Sequence, residues 1–259
     1  MLAVTGNRLT KGTGTPIGVA RYKPLLITRW GQSNQVGVAP IAQLPYSNWN
    51  TEIKGFKAVN NYPTWDNTIF GSSSSFDNRF YFGADWSFSY KLQPYINKRI
   101  YINKHALGST SVYDNWKPGA TLYDTAWTRL GQVVNDMNTI LGAGNWDHVF
   151  MWNQGENDAM DATKSSAYYT GLKLLFDNVV NTYAPKYAVI TKTAPELPSG
   201  YPYITTVRAA QDAVIASFNN PKYITVDTNG IHDSTQLHFD ANGYEEVGLR
   251  EFNALKAIL

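Results

Sequence analysis

Pro24-Leu-Leu-Ile-Thr28 runs into Trp30-Gly-Gln-Ser-Asn34, an apolar segment of strand length that stops at a glycine and gives way at once to polar side chains. A continuous apolar run of this kind reads as a strand buried on both faces. Four later segments follow the same design: Arg99-Ile-Tyr-Ile-Asn103, His148-Val-Phe-Met-Trp152, Tyr187-Ala-Val-Ile-Thr191 and Tyr223-Ile-Thr-Val226. Between them apolar residues recur at helical spacing. Leu122, Ala126, Leu130, Val133, Met137 and Ile140 predict a helix over 121–141, ended by Gly142 and Gly144. Tyr168, Leu172, Leu175, Val179 and Tyr183 predict a second, stopped by Pro185, and Val207, Ala210, Val214 and Phe218 a third. Tyr244, Val247, Phe252 and Leu255 predict a last one, with Asp240 or Asn242 as its N-cap. Asp85 to Ile96 reads as a further helix. Residues 35–80, rich in Asn, Ser, Pro and aromatics, read as long loops of the kind that carry function.

Strands alternating with helices argue for an α/β three-layer sandwich around a mainly parallel five-stranded sheet. In such sheets ligands bind beyond the carboxyl ends of the strands. Gly31–Asn34, Gln154–Asp158 and the region of His238 all follow predicted strands. They are therefore expected to converge on one edge, although they lie far apart in the chain.

With 259 residues and no charged or Pro/Ser-rich linker, residues 21–259 read as a single domain, and 1–20, with their Gly/Thr content, as a lead-in. The formal net charge of +2, without a dense Lys/Arg run, argues against nucleic acid or an anionic membrane as partner. The absence of cysteine excludes disulfides, a thiolate nucleophile and a cysteine-ligated metal. No signal-peptide core or membrane-spanning apolar run is present. The 17 Tyr and 8 Trp suit sugar rings, whose C–H faces stack on aromatics, and equally suit a core.

Several chemistry-bearing residues stand out. Ser33 follows the first strand at a bend that Gly31 permits, where a side chain points out from the sheet. A serine needs a neighbouring base to act as a nucleophile; otherwise it is a helix cap. Of the four histidines, His105, His148, His232 and His238, the last lies in Gln236-Leu-His-Phe-Asp240, just before the final helix. In Trp152-Asn-Gln-Gly-Glu-Asn-Asp158, Gln154 offers an amide donor for an oxyanion. Glu156 and Asp158 there could instead bind Ca²⁺ or serve as a glycosidase pair. Gly83, in Phe82-Gly-Ala-Asp85, opens a predicted helix and could turn its N–H to an anion.

Taken together, Gly31-Gln-Ser-Asn34, Phe82-Gly-Ala-Asp85, Trp152-Asn-Gln-Gly-Glu156 and Leu237-His-Phe-Asp240, in that order, resemble the SGNH-hydrolase superfamily. More narrowly they are similar to its carbohydrate acetylesterase branch, which includes sialate O-acetylesterases and acetylxylan esterases. Lys104-His-Ala-Leu-Gly-Ser-Thr110 is similar to a segment that follows an internal strand in this branch. The resemblance spans about residues 25–250 and implies the flavodoxin-like SGNH fold. It implies Ser33 as nucleophile and His238 as base and then acid. It implies an oxyanion hole from the N–H groups of Ser33 and Gly83 and the side chain of Gln154, with Glu156 in support. It implies no cofactor and no metal, and an acetylated glycan as the partner.

Two departures mark the chain. The family's acid, three residues before the histidine, is replaced by Thr235, so Asp233 is the candidate third member of a triad; otherwise a Ser–His dyad operates. Asn153 stands where the branch often has histidine. Three alternatives stay open at this level: an esterase for lipid or small non-sugar esters, a glycan-binding module without turnover, and the glycosidase. The substrate class suggests extracellular action, and the composition also fits a catalytic domain of a larger secreted or virus-particle protein such as a phage tail spike. The sequence does not give an oligomeric state.

Overall fold

A computed structural model describes residues 22–43, 81–232 and 235–259, and the backbone of 53–59 and 62–67. The first half comprises β1 (Leu25–Gly31), α1 (Ser33–Val36), β2 (Ala39–Pro40), β3 (Ile53–Val59), β4 (Tyr62–Asn67), β5 (Tyr81–Phe82), α2 (Ala84–Ile96) and β6 (Ile100–Ala106). The second half comprises α3 (Thr121–Leu141), β7 (Asp147–Asn153), α4 (Ala162–Tyr183), β8 (Tyr187–Thr191), α5 (Ile204–Ser217), β9 (Tyr223–Val226) and α6 (Ala241–Lys256).

The described strands form a seven-stranded sheet in the order β4-β3-β6-β1-β7-β8-β9, and β2 pairs separately with β5. The five central strands expected from the apolar runs are all present and mutually parallel, with β1 in the middle between β6 and β7. The expectation of loops throughout 35–80 needs correction. Residues 53–59 and 62–67 form an antiparallel pair that extends the sheet, β3 lying parallel to β6. Pro63 sits in β4, the outermost strand, where a missing N–H costs no ladder bond on the open side.

Strand residues alternate between two cores, because successive side chains leave a strand on opposite faces. Phe150, Trp152, Ala188 and Ile190 pack with Leu130, Leu172, Phe176 and Val214 from α3, α4 and α5. Val149, Met151, Tyr187 and Val189 pack with Phe88, Leu92, Ile96 and Leu255 from α2 and α6. The three layers follow directly from this division. Inside the second core Arg29 is fully buried, its Nη2 donating to both oxygens of Glu251 at 3.0 and 2.8 Å, and its guanidinium lies 5.3 Å from the ring centroid of Phe88. Asp240 caps α6 by accepting from the Gly243 N–H at 2.7 Å, one of the two caps expected.

Candidate active site

β1 ends at Gly31, whose φ of +154° and close approach to β7 forbid a side chain: a Cβ there would stand 1.9 Å from the carbonyl oxygen of Asn153. The next N–H, that of Gln32, donates to the same carbonyl at 3.1 Å. The chain then turns straight into α1 and leaves Ser33 as its first residue. The turn is held from two sides. Leu107 N–H donates to Gly31 C=O at 3.1 Å, and the buried Lys104 ammonium donates to Val36 C=O at 2.6 Å while pairing with Asp85 at 3.1 Å.

The loops that follow the five central strands all contribute to one cavity of about 290 Å³. Gln32 and Ser33 come from the end of β1, Gly108 from β6, Glu156 from β7, Tyr201 from β8 and His238 from β9. Nucleophile and base candidates from opposite ends of the chain thus share a wall. Of the four histidines His238 alone lines this cavity. His148 is buried within the sheet, 2.9 Å from Thr28 Oγ1, and burial lowers its pKa to about 3. Burial also lowers His105 to about 4, with the Arg129 charge adding to it. His232 donates from Nδ1 to the Glu196 carbonyl at 3.1 Å. His238 itself is half-buried; desolvation, and then the nearby His232, hold its pKa below the ordinary value of 6.5. Its imidazole is therefore mostly neutral at neutral pH, the form that a general base requires.

The oxyanion donors expected from the sequence are placed differently. Gly83 does not line the cavity. Its backbone packs on Gly37, so that a Cβ on Gly83 would lie 2.8 Å from Gly37 Cα. The reason is topological: the neighbour of β1 is β6, whose end delivers Gly108, where an added Cβ would be 3.5 Å from Ser33 Cβ. Gln154 is fully buried and turned inward. Its Nε2 donates to Asp158 Oδ2 at 2.7 Å, to Thr110 C=O at 2.8 Å and to Gln32 Oε1 at 3.2 Å, which leaves no N–H for a substrate. Gln32 has no role in the sequence reading. Its side-chain carbonyl is held by Gln154, and its own Nε2 donates to no described residue.

Asp158 is likewise sealed. Besides Gln154 it accepts from Val112 N–H at 3.0 Å and Tyr113 N–H at 3.3 Å, so it anchors the loop that carries Gly108. Burial pushes its pKa up to about 6 against the pull of these three donors. Glu156 is buried, its Oε1 accepting from Asn34 Nδ2 at 2.6 Å, and burial raises its pKa also. The two carboxylates sit on one loop, with one facing the cavity and the other packed beneath it, and do not flank a sugar as a glycosidase pair would. No cluster of three potential metal ligands occurs among the described residues. Asp233, the candidate third member of the triad, lies outside the described residues. Thr235 is described, and no carboxylate is hydrogen-bonded to His238 among the described residues.

A central parallel sheet, helices on both faces, and a serine after the first strand that shares a cavity with a late histidine define a hydrolase of the SGNH type. The chain belongs to the family described as carbohydrate esterase, sialic acid-specific acetylesterase, whose model matches residues 25–256, and it is a carboxylic ester hydrolase. Among solved structures it is similar to a protein of Arabidopsis thaliana, at 18% identity and a TM-score of 0.68, over 91% of this chain and 98% of that one. It is also similar to a carbohydrate acetylesterase from Xanthomonas citri, at 16% identity and a TM-score of 0.62, over 90% of this chain and 56% of that one. NanS matches at 13% identity and a TM-score of 0.61, over 92% of this chain and 97% of that one. These likenesses establish the fold. No curated protein matches the chain.

Proposed function

We propose that the protein removes O-acetyl groups from a carbohydrate through an acetyl-Ser33 intermediate. The observation that carries this reading is the meeting of Ser33 and His238 in one cavity, under the edge of the loop that holds Gly108. His238 takes the Ser33 hydroxyl proton as Oγ attacks the acetyl carbonyl. It then returns that proton to the sugar oxygen as the C–O bond breaks. Water, deprotonated by the same imidazole, hydrolyses the acetyl-enzyme and regenerates the serine.

The developing oxyanion needs preorganised donors. The backbone N–H groups of Ser33 and Gly108 donate to no described residue, and Gly108 faces Ser33. They take the place that the sequence assigned to Ser33 and Gly83. The third donor is Nε2 of Gln32, with Gln154 as the residue that orients its amide by occupying Oε1. Asp158 acts one step further out, since it anchors both Gln154 and the loop bearing Gly108.

The cavity's size suits a short acyl group, and its rim carries Asn157 and Tyr201, groups fitted to sugar hydroxyls and ring faces. An acyl-chain series decides between this reading and an esterase for lipids. Acetate release from acetylated polysaccharides, with turnover falling as the acyl chain grows from acetyl to octanoyl, is the expected result. A preference for octanoyl esters would overturn the carbohydrate assignment, and binding of acetylated glycan without acetate release would overturn the enzymatic one.

A further inference from the structure

One side chain in the site is bonded on every side and has no part in the chemistry just described. Asn34, the residue after the nucleophile, is 1% exposed. Its Nδ2 donates to Glu156 Oε1 at 2.6 Å and to Leu237 C=O at 3.4 Å. Its Oδ1 accepts from Phe239 N–H at 3.4 Å and from Tyr244 O–H at 3.1 Å. A primary amide has two N–H donors and two carbonyl lone pairs, so all four positions are filled and the amide has one orientation only.

The partners are what matter. Leu237 and Phe239 flank His238, and the amide grips the loop by the C=O before the histidine and the N–H after it. Glu156 comes from the loop after β7, and Tyr244 from α6. The peptide that carries the nucleophile is thereby tied to the loop that carries the base. We infer that Asn34 is the positioning residue that sets His238 against Ser33, with Glu156 and Tyr244 holding Asn34 in register. The inference rests on Ser33 and His238 being nucleophile and base. It adds that backbone placement by Asn34, rather than a carboxylate alone, fixes the imidazole.

The bond to Glu156 makes the arrangement testable by exchange. Asn34→Asp keeps the two acceptor contacts of Oδ1 but turns a second oxygen toward both Glu156 Oε1 and the Leu237 carbonyl. Adding Glu156→Gln supplies a donor there and restores the bond with its direction reversed. Steady-state kinetics on p-nitrophenyl acetate, with the folded fraction of every variant set by its near-ultraviolet circular dichroism, read the effect. Misplacement of a reacting group by about 1 Å costs roughly 10²-fold in rate. Asn34→Ala and Asn34→Asp are expected to lose about 10- to 100-fold in kcat with KM within about threefold, and Asn34→Asp/Glu156→Gln to recover part of the loss, the bond to the Leu237 carbonyl staying absent. Tyr244→Phe, which removes one donor far from the cavity mouth, is expected to lower kcat in the same sense by a smaller factor. Unchanged kcat in folded Asn34→Ala, or a double variant no better than Asn34→Asp, would overturn the inference. Activity that survives Ser33→Ala would instead overturn the reading beneath it.

Discussion

Asp158→Asn sets two opposing effects on one carboxylate against each other. Three N–H donors, from Gln154, Val112 and Tyr113, favour the charged form, while burial opposes it. Burial wins: the pKa stands at about 6 against an ordinary 3.8. At about 1.36 kcal/mol per pH unit, the rise corresponds to about 3 kcal/mol. A carboxyl whose pKa is raised by folding contributes stability that is fully present below the unfolded pKa and lost as pH climbs through the folded one. The wild-type chain therefore loses about 3 kcal/mol from this group, most of it between about pH 4 and pH 7. The amide that replaces the carboxyl in the variant cannot ionise and lacks that slope. Groups not coupled to Asp158 cancel in the difference between the two proteins, and the neighbouring Glu156, whose carboxyl the Asp158 charge also pushes up, adds in the same sense; urea denaturation of both across this range therefore reads Asp158 together with that coupling. The advantage of wild type over the variant is expected to shrink by about 2–3 kcal/mol from pH 4 to pH 7. A difference that is flat, or that grows with pH, would mean that the three donors outweigh burial and would refute the reasoning.

Three further outcomes follow from the same geometry. Gly108→Ala adds a Cβ at ordinary contact distance, 3.5 Å from Ser33 Cβ, and is expected to stay within a few-fold of wild type. Gly108→Val pushes methyl groups into the oxyanion position and is expected to lower kcat on p-nitrophenyl acetate by about 10²-fold or more with little change in melting temperature. Arg29→Met leaves Glu251 charged and unpaired in the core, so urea denaturation is expected to show a loss of about 3–5 kcal/mol, largely recovered by adding Glu251→Leu. Because burial holds the His238 pKa below 6.5, the acidic limb of the kcat/KM profile is expected below that pH; a limb above it would contradict the environment described for the imidazole.

What the sequence revealed, and what it hid, divides along physical lines. The five central strands were legible because burial on both faces demands unbroken apolar runs, and β8 and β9 begin and end where those runs do. The helix over Thr121–Leu141 was legible from its periodic apolar stripe and the glycine after it. β3 and β4 were not, since strands toward the edge of a sheet need no continuous apolar run, and Gly55 and Pro63 within them resemble loop punctuation. That Ser33 and His238 would meet was legible because the segments after parallel strands gather at one edge of the sheet, and both line one cavity there. Gly83 was expected at the site and packs on Gly37 instead, because which strand lies beside β1 is a fact of topology. Lys104-His-Ala-Leu-Gly-Ser-Thr110 was recognised without a role, and its glycine is the one that faces Ser33. Gln154 was taken for a substrate donor because the acceptors that occupy its amide, Thr110 above all, come from loops that sequence spacing does not connect. Asn34 was part of the recognised motif, but its four partners lie far along the chain in the loops after β7 and β9 and in α6.

The most direct test of the central claim is hydrolysis of p-nitrophenyl acetate by the intact chain and by Ser33→Ala at matched folded fraction. The account predicts measurable turnover in the first and none above background in the second. Turnover that persists in Ser33→Ala would contradict it and would point instead to Ser109, the other serine that lines the cavity.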